Sequence, residues 1–298
     1  MKFFRLRLPA RGPTAAPLFT RARLRSYLIG LGLLLVAFVV GIYLFFPTRA
    51  LQERIEREAA KGAVTLTMSD LDLLFPPGLR GTEVTVQVAP SYRQSFEINR
   101  VAVRPLWSTL FGTDPGIAFQ AQLLGGELAG QARKRGSVVA QARGITFAER
   151  PITGSLIEVA GTLTTGQFTG AVPLTAGTDS RLELTLDQAR INGMEGLGVA
   201  NGTLNIGQIV LRGEGKGNAF RIDELEARGG DLQLSGSGSL LVGQPFERSR
   251  LNLNLILTPA TGIDPALRDL LELFATAGTD GSYRLRLGGT LASPIFAK

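Results

Sequence analysis

The sequence predicts an all-β protein: a single N-terminal transmembrane helix, then an elongated, mostly antiparallel β-sheet meander with one or two short helices. Three observations predict it. Residues 27–46 read YLIGLGLLLVAFVVGIYLFF, twenty residues without a charge. From residue 63 onward, apolar and polar residues alternate in run after run. Glycine and asparagine gather between those runs, as in GTDPG (112–116), NGMEG (192–196) and GEGKGN (213–218).

The apolar segment has the length of a membrane span. At a rise of about 1.5 Å per residue it covers roughly 30 Å, the hydrocarbon thickness of a bilayer. Fourteen of its residues are Leu, Ile, Val or Phe, each favouring insertion by about 0.3–0.6 kcal/mol near the centre. Tyr27, Leu31, Leu35, Phe38, Ile42 and Phe46 mark the expected anchor. A cleaved signal peptide has an apolar region of only about 7–15 residues, followed by small residues. Here Phe45 and Phe46 stand where small residues belong, so a retained anchor is expected.

Charge fixes what the anchor faces. The 298-residue chain carries a formal charge of +7 and a pI of about 10.2. Residues 1–26 hold seven basic residues and no acid, and the rest holds 25 of each sign. A nucleic-acid domain carries its basic excess on the folded part. This one carries it on a tail beside a hydrophobic segment, so no nucleic-acid partner is expected. Arg21, Arg23 and Arg25 lie within six residues of the apolar run. The matching window 47–72 holds four basic residues against the tail's seven. Lys and Arg stay cytoplasmic. The expected arrangement is therefore a cytoplasmic tail (1–26), an inner-membrane helix (27–46) and a periplasmic β domain (63–298). Pro9, Pro13 and Pro17 leave the tail without an apolar period, and it is expected to be disordered, lying against anionic lipid.

Between anchor and sheet, residues 47–62 predict a short helix that Thr48 caps and Gly62 ends. Glu53/Arg57 and Arg54/Glu58 are i,i+4 pairs. Leu51 and Ile55 are its only large apolar residues, which suggests a solvated stalk.

Strands follow. VTLTMSDLDL (64–73), VTVQV (84–88), LELTL (182–186), LNLNLIL (251–257) and YRLRL (283–287) alternate with period two. Each should have one buried and one wet face. About ten to twelve residues per strand and turn give roughly 20 strands, or ~95 Å of sheet at 4.8 Å per strand. The motif Gly-Gly-x-Leu recurs at Gly125-Gly126, Gly229-Gly230 and Gly288-Gly289. A Gly-Gly pair supplies the positive φ of a tight hairpin. Asp264-Pro265 followed by ALRDLLELFATAG predicts one helix, with Leu267, Leu270, Leu271 and Phe274 on its apolar stripe. Pro151 is the one candidate for a subdivision of the β domain.

Catalytic patterns are missing from the sequence. It has no cysteine and no histidine, which removes Ser-His-Asp triads, Cys-His pairs and the H-E-x-x-H zinc motif. Asp70 and Asp72 share one strand face with Leu71 and Leu73 opposite, ordinary amphipathic patterning. No enzyme activity, cofactor or metal is expected.

Several segments together resemble the type II secretion system protein N family, the GspN type. They are SDLDLLFPPGLRGTEVTV (69–86), GIAFQAQLLGGELAG (116–130), IDELEARGGDLQLSGSGSL (222–240), SRLNLNLIL (249–257) and DGSYRLRLGGTLASP (280–294). The turn Phe75-Pro76-Pro77-Gly78-Leu79 and the closing SYRLRLGGTLASP are the most specific. The resemblance implies a bitopic inner-membrane component of the machine that exports folded proteins, with other secretion subunits as partners and no catalytic residues. The same pieces are also similar to the AsmA-type family, which implies a β-sheet groove associated with lipid movement or outer-membrane assembly.

Overall fold

The computed structural model describes residues 21–60, 64–88, 95–109, 112–151, 158–174, 177–243 and 248–297. The chain divides into two compact units, Met1–Pro47 and Thr48–Lys298.

In the first unit, helix α1 runs Arg21–Phe45. Its stretch Tyr27–Phe45 is long and apolar enough to cross a membrane, with none of it buried by protein. Two boundaries differ from the sequence reading. Phe46 lies beyond the helix, because Pro47 disfavours the helical conformation in the residue before it. At the other end the helix begins at Arg21, so Arg21, Arg23 and Arg25 sit on its first turns instead of in a disordered tail. No Gly or Pro lies between Arg21 and Ser26, and Arg and Leu are good helix formers. The remaining tail, residues 1–20, lies outside the described residues.

In the second unit, helix α2 (Thr48–Ala60) comes first. It is not a solvated stalk. Leu51 and Ile55, one turn apart, pack on a cluster built around Met68, Leu71 and Val84. Gln52 Nε2 donates to the Met68 carbonyl (2.7 Å), and the Met68 N–H donates to Glu56 Oε1 (3.2 Å). Two apolar residues at i,i+4 suffice to seat the helix, since its polar neighbours bond to Met68 in the connection between the strands Val64–Thr67 and Asp70–Leu74 beneath it. Gly62, its expected terminator, lies outside the described residues.

The strands then form one antiparallel meander. They are β1 (Val64–Thr67), β2 (Asp70–Leu74), β3 (Gly78–Val88), β4 (Ser95–Pro105), β5 (Gly116–Leu123), β6 (Gly126–Arg133), β7 (Ser137–Pro151) and β8 (Glu158–Ala171). Next come β9 (Asp179–Asn192), β10 (Leu204–Lys216), β11 (Ala219–Gly229), β12 (Leu232–Leu241) and β13 (Arg250–Pro259). Helix α3 (Pro265–Phe274) precedes β14 (Thr276–Ala277), β15 (Tyr283–Thr290) and β16 (Ser293–Ala297). From β3 to β13 each strand pairs with the next in sequence. β1 and β2 share one edge on β3, and β14 and β16 share the other on β15.

Among the described residues this makes sixteen strands, fewer than the ~20 expected at ten to twelve residues per unit. The central strands are longer than that spacing allows; β7 has 15 residues and β8 and β9 have 14 each. A path of fourteen paired strands at about 4.8 Å per step gives ~60 Å of sheet. Pro151 ends β7 opposite Glu158 of β8, so the sheet continues across the point suggested for a subdivision.

A line of irregularities crosses the middle strands. Glu83 (φ 49°) on β3, Gly144 (φ 65°) on β7, Gln188 (φ 55°) on β9 and Gly207 (φ 79°) on β10 have left-handed backbone. Pairing slips by a residue at Asn99 on β4 and Thr164 on β8. Bulges bend a strand and increase its twist, so this line bends the sheet strand after strand.

Candidate functional site

The sheet has two chemically distinct faces. Residues directly opposite across an antiparallel pair point to the same side, so the register traces each face across the molecule. One row reads Leu79, Val103, Phe119, Gly130, Ala140, Phe168, Leu182, Gly213, Ile222, Gly238, Leu253 and Leu287. Two residues along, the next reads Val101, Ala121, Leu128, Ala142, Gly166, Leu184, Leu211, Leu225, Gly236, Leu255 and Leu285. No polar side chain interrupts either row. Between them on the opposite side runs Ala102, Gln120, Ala129, Gln141, Gln167, Glu183, Arg212 and Glu224.

Glycines on the apolar face are part of its packing. A Cβ on Gly130 would meet the Phe119 ring at 2.6 Å, and one on Gly215 would meet the Phe220 ring at 2.8 Å. Each ring lies over the glycine on the neighbouring strand. Gly236 likewise leaves room for the Leu255 side chain, and Gly238 lies close against the Asn252–Leu253 backbone. The sequence reading treated GEGKGN as a turn. Instead Gly213 and Gly215 belong to β10 and the turn lies at Gly217-Asn218.

Two regions of this face are covered. α2 covers β1 to β4. At the far end α3 and the loop 193–203 form the largest cluster, in which Met194, Val199, Leu204, Leu257, Leu267 and Tyr283 are buried. Asp264 organises that end. Its Oδ1 caps α3 by accepting the Ala266 N–H, and its Oδ2 accepts the Ala200 N–H of the loop, both at 2.9 Å. The predicted stripe divides: Leu267 is buried, Leu270 and Leu271 pack against the cluster, and Phe274 is 44% exposed. Phe274 contacts Phe296 of β16, with ring centroids 5.6 Å apart. Between the two covered regions, Phe119, Leu128, Phe168, Leu182, Leu184 and Leu211 are half-buried and belong to none of the packed clusters. This open apolar stretch is the candidate site.

The polar face is held by its own charges. Arg181 on β9 pairs with Glu214 on β10 (2.5 Å), and Arg212 on β10 with Glu224 on β11 (2.7 Å). The hydrogen bond and charge of Arg181 hold the Glu214 carboxyl below the usual range. Thr164 and then Gln208, by hydrogen bonding, do the same for Asp187. Among the described residues no group of three or more Asp or Glu is placed to hold a metal ion.

No family model, curated protein or solved structure matches the chain. The family resemblance therefore rests on the residues quoted for it.

The remaining sequence-predicted positions fall as follows. Tyr27, Leu31, Leu35 and Phe38 are exposed on α1, Phe46 is half-buried, and the Ile42 side chain lies outside the description. Phe75, Pro76 and Pro77 form the β2–β3 turn, with Phe75 78% exposed, while Gly78 and Leu79 open β3. Gly78 lies against β4, where a Cβ would sit 2.8 Å from the Val103 carbonyl. Gly125 (φ 78°) and Gly229 (φ 79°) supply the positive φ of the β5–β6 and β11–β12 turns, followed by Gly126 and Gly230. Gly288 and Gly289 lie inside β15, just before the Thr290–Ser293 turn, and there the second glycine is the left-handed one (φ 87°). Asp70 and Asp72 are exposed, while Leu71 is buried and Leu73 half-buried. The sequence reading missed Met194 and Val199 as core. They sit in a segment that looks like punctuation, and only their size against the surrounding glycines marks them.

Proposed function

We propose that this chain is a single-pass inner-membrane component of the type II protein secretion system, of the N type. Its N-terminus lies in the cytoplasm and its β domain in the periplasm, where it contacts other secretion subunits. The role is structural or assembly-related, not enzymatic. What supports the reading is that the family-like segments coincide with units of one meander. Residues 69–86 are the β2–β3 hairpin, 116–130 the β5–β6 hairpin, 222–240 the β11–β12 hairpin, and 280–294 span β15 and its turn. Deleting the gene should leave exoprotein in the periplasm, and cross-links from the β domain should run to other secretion subunits. Normal export combined with altered outer-membrane lipid would overturn the assignment.

A second reading draws on the open apolar stretch. An AsmA-like envelope protein would use it to hold or pass acyl chains, or to assist outer-membrane biogenesis. The uninterrupted rows through Phe119, Phe168 and Leu182 favour it. Purified full-length chain should then carry lipid that organic extraction recovers, and Leu182→Asp should reduce the amount. Extracts free of lipid would end this reading without touching the first.

A further inference from the structure

The polar face changes character towards β15. On β9 to β11 each of Arg181, Arg212, Arg221 and Arg228 is paired with a carboxylate. Arg284 and Arg286 on β15 have no ion-pair partner among the described residues. Asp280 feels the charge of Arg284, but its carboxylate is engaged with the hydroxyl (2.6 Å) and N–H (3.1 Å) of Ser282. Arg286 Nε donates to Asn252 Oδ1 (3.1 Å), which holds the guanidinium at one edge, while its terminal nitrogens make no hydrogen bond among the described residues.

These two arginines line one wall of a trough. Register places Ser235 opposite Ile256 and Ile256 opposite Arg284, then Ser237 opposite Asn254 and Asn254 opposite Arg286. Small residues on β12 lower the floor beside the long arginines. The side chains of Ser235, Ser237 and Asn254 make no hydrogen bond among the described residues, so their donors are free. The two guanidiniums, two residues apart on one strand, project to the same side from positions about 7 Å apart. Asp223, on the opposite wall, is already neutralised by Arg221 at 2.6 Å.

We infer that this trough binds a phosphate-type oxyanion between Arg284 and Arg286, with Asn254 and Ser237 as additional donors. Guanidinium forks match phosphate oxygens in pairs, and uncompensated charge among free hydroxyl and amide donors is what such a group needs. A free phosphate and a phosphorylated lipid headgroup present the same chemistry.

The test uses the full chain in dodecyl maltoside micelles, which contain no phosphate. The arginine Nε–H resonances are followed by NMR at constant ionic strength, with chloride as the balancing anion. Inorganic phosphate should shift Arg284 and Arg286 saturably and leave Arg181 and Arg212 in place. Arg284→Gln with Arg286→Gln should weaken binding at least tenfold, and the lysine pair should recover only part of it, since lysine lacks the fork. Doping the micelles with phosphatidic acid separates the sources: saturation at lower phosphate-group concentration assigns a lipid headgroup, and equal concentration assigns free phosphate. Both outcomes support the site. Uniform shifts at all exposed arginines, or affinity that survives the glutamine pair, would overturn it. So would a glutamate decapeptide that shifts the pair as strongly, because the trough would then be a docking place for acidic protein segments.

Discussion

Asp187 accepts hydrogen bonds from Thr164 on the strand before it and from Gln208 on the strand after it, the latter at 2.8 Å. All three lie where regular pairing breaks: Thr164 and Gln208 are skipped in the register, and the residue after Asp187 is Gln188, with φ 55°. One carboxylate thus ties three adjacent irregular strands together at the line where the sheet bends.

This tie depends on ionisation. The bonds from Thr164 and Gln208 hold the Asp187 carboxyl below its ordinary value, near 3.9 in an unfolded chain, by about the usual reference. A depressed folded value gives stability that is present above the unfolded pKa and is lost as pH falls through the folded one. Asp187→Asn should therefore lower Tm at pH 7 by about 1–3 °C, a modest change because the site is solvated. Thermal melts should show the gap between variant and wild type closing as pH drops below about 4. A gap independent of pH would mean that the carboxylate charge contributes nothing.

Glycines inside strands make a second test. A Cβ on Gly238 would lie 2.1 Å from the Asn252 carbonyl, whereas one on Gly288 would meet nothing nearer than the Leu251 carbonyl at 4.0 Å. Gly238→Ala should destabilise by about 1–3 kcal/mol, as overpacking does. Gly288→Ala should stay within about 0.5 kcal/mol. Denaturant unfolding of both variants in the same micelle checks this, and equal effects would contradict the packing described for the apolar face.

The same glycines show what the sequence made legible. Period-two runs such as LNLNLIL identified β13 and its buried side, because alternation is a local property. GEGKGN looked like a turn for the same local reason. Its Gly215, like Gly236 on β12, stands in a strand where a phenylalanine or leucine side chain of the adjacent strand occupies the space, and that neighbour is known only from the register. Leu51 and Ile55 are a comparable case. Two apolar residues among charges suggest a solvated helix until Met68 and Leu71 are seen beneath them. The open apolar stretch was visible as alternation, but which part of it α2 and α3 leave uncovered was not.

Docking of α2 carries its own consequence. Leu51→Ala and Ile55→Ala should each cost about 1–2 kcal/mol, less than a fully buried truncation because both side chains are half-buried. Glu56→Ala removes the acceptor for the Met68 N–H. Hydrogen exchange at Met68 should then accelerate roughly tenfold, the loss of about one hydrogen bond, while amides on β13 keep their protection. Unchanged exchange at Met68 would mean that the helix does not rest on the β1–β2 connection.

Orientation of the proposed anchor can be tested through charge alone. Residues 1–26 carry seven basic residues and residues 47–72 carry four. Replacing Arg21, Arg23 and Arg25 by glutamine leaves four on each side, so the difference that selects a cytoplasmic N-terminus disappears. These three also occupy the first turns of α1, and glutamine keeps helix propensity close to that of arginine. The substitution therefore changes charge with little change in the helix. Alkaline phosphatase fused after Lys298 should be active on the wild-type chain, and green fluorescent protein at the same point should be dark. In the triple variant both reporters should give partial signal, as a mixture of orientations does. If the variant keeps full phosphatase activity, the tail arginines do not set the topology and the translocation of the β domain itself must.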